Sequence, residues 1–298
     1  MINLGGVFPP LPTAFGTHDE LLTDKLQENI RSLNQYALRG YLILGSNGEL
    51  INLSEEEKNR VYVAAREAIP HDKLMLAGTG GQSTSETLKL TAIAASAGAD
   101  AVLILNPSYY RGLMNRVALV SHYHEIADHS DIPVIIYNMP ANSGLDMDAE
   151  TIVEISSHEN IIGLKDSGGN LTKMAQIIDE TDDDFQVLAG SAGFLVPAMS
   201  IGAVGGILAL ANISPEHCMA MHTRYLAGDF KGAAHFQRKC VKLNNAVTRG
   251  WGVPALKAAM DHLGLYGGPC RKPIQNLDQE KAEVLFKLVR QLNEQTLI

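Results

Sequence analysis

Eight short apolar runs recur along the 298 residues, and each is followed by a stretch with helical hydrophobic periodicity. The runs cover residues 6–14, 40–44, 73–78, 101–106, 132–138, 161–165, 185–189 and 203–209. Their starts lie roughly 20–35 residues apart, the length of a strand plus the helical crossover that joins parallel strands. They show no polar alternation, as strands buried on both faces should. Eight such units predict an α/β fold, a (β/α)8 barrel, more simply than an open doubly wound sheet.

Past residue 228 the period changes. Residues 229–298 carry helical patterns over 230–247, 253–263 and 278–292 and no strand signal. They predict a helical extension packed on a barrel of residues 1–228. Local signals fit the same reading. Ser54 with Glu57, and Ser83 with Glu86, match the capping box. Asp148, Asn170 and Ser214 are expected N-caps, while Pro70 and residues 97–100 mark helix ends.

Composition narrows the function classes. A net charge of -9 argues against nucleic acid or an anionic membrane as partner. Three cysteines (Cys218, Cys240 and Cys270) stand far apart in no zinc-type spacing, as in a reducing compartment. The first ten residues lack a basic start, and the apolar stretch 202–213 is too short to span a bilayer. The cytoplasm is the expected location, with an organelle left open. No GxGxxG, HExxH or GxxxxGK[ST] pattern occurs. His122 and His124, two apart on one helix, face different directions and share no metal. Residues 182–184, all aspartate, read as a solvated loop. No metal or cofactor is expected.

In a barrel, chemistry gathers at the C-terminal strand ends. Lys165 closes an apolar run there. Poor solvation lowers a lysine pKa, and a neutral amine in a closed site attacks carbonyl carbon to form a Schiff base. The strand context alone equally allows Lys165 to reach water or pair with Asp166. Tyr137 ends the neighbouring run, where its hydroxyl could move protons or simply pack. The glycine-flanked loop 45–49 offers backbone N–H groups, with Ser46 and Asn47 as side-chain donors, for a carboxylate. Residues 190–193 lie where many barrels hold a phosphate.

Taken together, Gly45-Ser46-Asn47-Gly48-Glu49, Tyr137-Asn138-Met139-Pro140 and Gly163-Leu164-Lys165-Asp166-Ser167 resemble the dihydrodipicolinate synthase / N-acetylneuraminate lyase family of class I aldolases. The resemblance spans essentially the whole chain. Within the family, residues 107–112, 165–169, 186–194 and 266–271 are most similar to the 4-hydroxy-2-oxoglutarate aldolase branch. The resemblance implies a Schiff base on Lys165, proton shuttling by Tyr137 and Ser46, and a second tyrosine, Tyr109, lent by a neighbouring subunit. It implies a substrate pocket drawn from Ser46, Asn47, Gly48, Asn142, Ser167, Gly190 and Ile207, and a homotetramer built as a dimer of dimers. The substrates implied are a small 2-oxo acid (pyruvate) and an aldehyde.

Two departures bear on the substrate. Synthase members read Gly-Thr-Thr-Gly-Glu where this chain has Ser46 and Asn47. They also carry a carboxylate-gripping arginine where this chain has Asn142, and asparagine cannot replace a bidentate charged clamp. The expected reaction is cleavage of a 4-hydroxy-2-oxo acid, foremost 4-hydroxy-2-oxoglutarate, to pyruvate and glyoxylate. The alternatives are a 2-keto-3-deoxy sugar acid aldolase or dehydratase, dihydrodipicolinate synthase, and a non-catalytic 2-oxo acid sensor.

Overall fold

The computed structural model describes residues 2–294, so positions 295–298 of the expected extension lie outside the described residues. One strand forms at each apolar run, the sixth extending one residue beyond it to Asp166. These are β1 (Gly6–Phe8), β2 (Gly40–Ile43), β3 (Leu74–Gly78), β4 (Ala101–Leu105), β5 (Val134–Asn138), β6 (Ile161–Asp166), β7 (Gln186–Ala189) and β8 (Gly205–Ile207). All pair in parallel, in the order β1-β8-β7-β6-β5-β4-β3-β2. The remaining seam closes through a parallel bridge between Pro10 and Leu42. There the Leu42 N–H donates to Pro9 O (3.0 Å) and the Leu11 N–H to Leu42 O (2.9 Å). The fold is the expected (β/α)8 barrel.

All the strands but β6 are shorter than the runs that announced them, for a chemical reason at β1. Pro9 and Pro10 have no N–H to give to a ladder, so regular pairing stops after three residues although the run stays apolar to Ala14. Inside the barrel, Phe8, Leu42, Leu76, Leu103, Ile135 and Leu188 form one apolar cluster. Ile43, Met75, Val102, Ile136, Leu164 and Val187 belong to a second, larger one that includes helix residues such as Val61, Tyr123 and Ile177. Two buried faces explain the missing alternation.

Most predicted caps hold. Ser54 and Glu57 form a reciprocal capping box, and Asp148 and Asn170 accept from Thr151 and Lys173 N–H groups. Two differ. Ser83 accepts from the Glu86 N–H, but the Glu86 carboxylate accepts from Gln82, so the box is half-made. Ser214 caps nothing with its side chain; its hydroxyl bonds the His217 ring at 2.9 Å. His122 and His124 bond Thr84 and the Ile155 carbonyl separately. Among the described residues no helix is long and apolar enough to cross a membrane.

The C-terminal helices are Phe230–Asn245, Gly252–His262 and Gln279–Asn293. Between the first two lies a π-turn, Ala246–Gly250, in which the Trp251 N–H reaches back to Ala246 O (3.0 Å). Lys257 and Arg271 tie this region to the barrel. Lys257 Nζ lies 2.6 Å from a Glu49 carboxylate oxygen, with both side chains essentially inaccessible to solvent. The Arg271 N–H donates to the other oxygen at 2.9 Å. The Arg271 guanidinium binds both oxygens of Glu57, the capping glutamate of the helix that follows.

Candidate active site

The site starts from strand register. β6 carries one extra residue against β5: Val134 pairs with Ile161, but Ile135 pairs with Gly163. That bulge resets which side chains of β6 point inward, and it brings Lys165 level with Tyr137 as register partners. Lys165 and Tyr137 are each only 4% exposed. The ammonium lies 4.0 Å from the Tyr137 ring centroid.

Asp166, next along the strand, does not pair with Lys165. It is fully buried and is met by Asn138 Nδ2 (2.7 Å), the N–H groups of Gly168 (2.9 Å) and Gly169 (3.1 Å), and Lys173 Nζ (3.4 Å). Adjacent strand residues face opposite ways, so this cluster lies away from the barrel interior. Of the readings open for Lys165, pairing with Asp166 is not made.

Tyr137 Oη lies 3.3 Å from Ser46 Oγ. Burial pushes the Tyr137 hydroxyl up, but the Lys165 charge and hydrogen bonds from Ser46, Ser167 and Lys165 outweigh it and leave its pKa below the ordinary value. A phenol so placed gives up its proton more readily, as an acid–base group must.

Ser46 sits in a tight 3-10 turn, Ser46–Gly48, bounded by two residues in the left-handed region, Leu44 and Glu49, both with φ 54°. Gly48 and Glu49 N–H groups are used within the turn, bonding Gly45 O and Ser46 O. Those of Ser46 and Asn47 have no backbone acceptor among the described residues. Glu49 is the anchor of this turn, through Lys257 and Arg271.

These groups open onto a cavity of about 540 Å³. Ser46, Asn47, Tyr137 and Lys165 line it, as do Asn142, Ser167, Gly190 and Ile207. Gly190 has to be glycine: a Cβ there would lie 2.7 Å from the Asp166 carbonyl oxygen and 2.8 Å from Ser167 Cα, backbone atoms that cannot turn aside. Two predicted residues are not brought in. Gly48 is buried under the turn, its carbonyl accepting from Thr13 Oγ1 at 2.6 Å. Tyr109 stands outside, 81% exposed and edge-on to Tyr110.

In the turn after β7, where many barrels hold a phosphate, several donors are used within the protein. The Gly190 N–H bonds Asp166 O (2.7 Å), and Ser191 Oγ meets Asn244 Nδ2 (3.0 Å) and the Gly193 N–H (3.2 Å). Sequence reasoning missed one wall of the cavity, formed by Val247, Thr248, Arg249, Gly252 and Val253. No local pattern marks it, because what it faces is set by residues far earlier in the chain. Among the described residues, no three His, Cys, Asp or Glu side chains gather as a metal would need.

Comparison with known proteins agrees with this geometry. The dihydrodipicolinate synthetase family matches residues 3–292. A 4-hydroxy-tetrahydrodipicolinate synthase of Methanosphaerula palustris is 36% identical over 287 residues, covering 95% of this chain and 98% of the relative. A probable mitochondrial 4-hydroxy-2-oxoglutarate aldolase of Emericella nidulans is 34% identical, covering 97% of both chains. Among solved structures, YagE of Escherichia coli K12, a family member in complex with pyruvate, superposes with a TM-score of 0.92 at 26% identity, covering 98% of this chain and 99% of the other. Buried lysine and tyrosine at the strand ends, a whole-length family match and these relatives lead to one conclusion: the chain belongs to the dihydrodipicolinate synthetase family of class I, pyruvate-dependent lyases.

Proposed function

We propose that this enzyme cleaves 4-hydroxy-2-oxoglutarate to pyruvate and glyoxylate through a Schiff base on Lys165. The observation that carries the reading is the register pairing of Lys165 with Tyr137 at the floor of the cavity, with Ser46 hydrogen-bonded to the tyrosine. The Ser46–Asn47 turn receives the C1 carboxylate and directs C2 at Nζ. Unprotonated Lys165 adds to C2, and loss of water with uptake of the Tyr137 proton gives the protonated imine and a tyrosine phenolate. The Tyr137 phenolate, or the substrate carboxylate assisted by it, takes the proton of the C4 hydroxyl. The C3–C4 electron pair then flows into the imine, releasing glyoxylate and leaving an enamine. Protonation at C3 and return of the water release pyruvate and free lysine.

The choice of aldehyde rests on Asn142, which lines the cavity where the synthases carry an arginine. Dihydrodipicolinate synthesis is the second reading, favoured by the name of the 36% identical relative. Both use pyruvate on the same lysine. Dehydration of a 2-keto-3-deoxy sugar acid starts from the same imine and is told apart by its products. We further infer a dimer-based tetramer in which Tyr109 enters a neighbour's site. Its exposure, with that of Tyr110, Leu113 and Val117, supports an apolar contact face.

The test is borohydride reduction with pyruvate, followed by peptide mapping and product analysis. An adduct on Lys165 and glyoxylate release are expected. An adduct elsewhere sinks the Schiff-base assignment, and efficient consumption of aspartate semialdehyde sinks the choice of substrate.

A further inference from the structure

Arg249 is a lining residue that the mechanism above does not use. It lies within the π-turn Ala246–Gly250, where Thr248 Oγ1 bonds Asn244 O (2.7 Å) and Gly252, at φ 60°, starts the next helix. Such single π-turns recur at functional sites because the extra residue re-aims a side chain that a regular helix would point elsewhere. The guanidinium reaches the turn after β6, donating from Nη2 to Gly168 O at 3.4 Å. Gly169 lies against it as well: a Cβ there would be 3.5 Å from Nη2. No carboxylate lies within ion-pair distance of Arg249 among the described residues. One long bond to a carbonyl leaves most of its five donors unused within the protein.

The charge pattern of the cavity gives this its meaning. Among the residues lining it, Lys165 and Arg249 are the charged ones, and none is acidic. The chain as a whole carries a net charge of -9, so a cavity with two cations and no anion departs from the overall balance of the chain. The first carboxylate and the carbonyl of a 2-oxo acid are accounted for by the Ser46–Asn47 turn and Lys165. Asn142 leaves the far end of the substrate without a charged receptor on its own side of the barrel. An arginine from the C-terminal segment, entering the same cavity, supplies one.

We propose that Arg249 receives a second, distal carboxylate of the substrate, which makes this site selective for 2-oxo dicarboxylates over 2-oxo acids with a neutral tail. The inference rests on the reading of Lys165 as the imine-forming residue, and it fixes the polarity of the bound ligand: C1 at the β2 turn, the far carboxylate at the π-turn. Arg249 forms no bond to a reacting atom. It is a specificity residue.

The experiment compares two ligands of equal chain length, 2-oxoglutarate and 2-oxopentanoate, by titration calorimetry on the full-length enzyme. A charge-assisted contact should favour 2-oxoglutarate by about ten- to a hundredfold. In Arg249→Leu that ratio should fall to about one, and Arg249→Lys should restore part of it because it keeps the charge without the planar fork. The kcat/KM ratio of 4-hydroxy-2-oxoglutarate to 4-hydroxy-2-oxopentanoate should follow the same order across the three proteins. The proposal is overturned if the wild type shows no preference, or if the preference survives in Arg249→Leu. It is also overturned if Arg249→Leu weakens both ligands by the same factor, the mark of a residue that only latches Gly168. Borohydride trapping of pyruvate on the wild type reads the lysine assignment separately. Absence of an adduct defeats that assignment, while the calorimetric ratio still decides the role of Arg249.

Discussion

Replacing Lys257 with methionine keeps the length of the side chain and removes only the ammonium. That ammonium meets the Glu49 carboxylate at 2.6 Å and the Pro269 carbonyl at 2.8 Å, over the Phe15 ring at 4.7 Å from its centroid. Glu49 would then keep one hydrogen bond, from the Arg271 N–H, inside a site with no solvent access. Breaking one half of a buried pair costs about 3–5 kcal/mol, because the remaining charge is neither solvated nor matched. At about 2 °C per kcal/mol for a large chain, the melting temperature should fall by roughly 6–10 °C. Thermal melts at one protein concentration and one scan rate provide the measurement. The control is the double variant Lys257→Met with Glu49→Gln. A neutral amide still accepts from Arg271 and strands no charge, so the double variant should regain at least half of the loss. If Lys257→Met melts within about 2 °C of the wild type, or if the double variant is no more stable than the single, the buried charge is not what holds this junction.

Three further outcomes test other parts of the account. The Arg271 hydrogen bond holds Glu57 down, against the opposing effect of burial and helped by Ser54, from an ordinary 4.5 to about 2. A depressed carboxylate stabilises above its unfolded pKa and loses that effect as pH falls through the folded one. Wild-type stability should therefore drop more steeply than that of Glu57→Gln between pH 4.5 and 2; parallel acid limbs would contradict this. Lys165→Arg should fail to trap pyruvate and should lose at least a thousandfold in kcat, on the order of what removing a covalent nucleophile costs, since a guanidinium stays protonated; an active variant refutes the imine. Tyr109→Phe and Lys165→Ala, each nearly inactive alone, should recover roughly a quarter of wild-type activity when co-refolded, because about half the dimers then hold one intact site. Recovery of nothing means that Tyr109 serves its own barrel, and an active Tyr109→Phe means that it only packs.

The barrel was legible because burial on both faces writes itself locally, as apolar runs without alternation. The ends were less so: hydropathy continues through Pro9 to Ala14, and what stops β1 is the missing N–H of proline. Lys165 and Tyr137 could be picked out as strand-end residues, but their alignment depends on the β6 bulge, which no spacing announces. Ser214 looks like a helix cap and is instead bonded to His217, a choice made by packing. Glu49 reads as one more polar residue in a turn; its role as anchor depends on Lys257 and Arg271, whose approach only the folded chain sets. Arg249 escaped for the same reason. A helical pattern says that a segment is amphipathic, not which of its polar residues turns toward a cavity.

The cavity wall at residues 247–253 and the counter-ion at Lys257 also set an order in time. Synthesis delivers Ser46, Tyr137 and Lys165 long before either. A chain stopped between Lys165 and Val247 holds all three reactive groups, yet Glu49 has no Lys257 beside it and the cavity lacks the Val247–Val253 side. Competence thus arrives with the segment that follows the barrel and is not accumulated strand by strand. Frameshifts and premature stops ahead of Lys257 should therefore abolish the site outright, wherever they fall, instead of grading it by how many barrel strands survive.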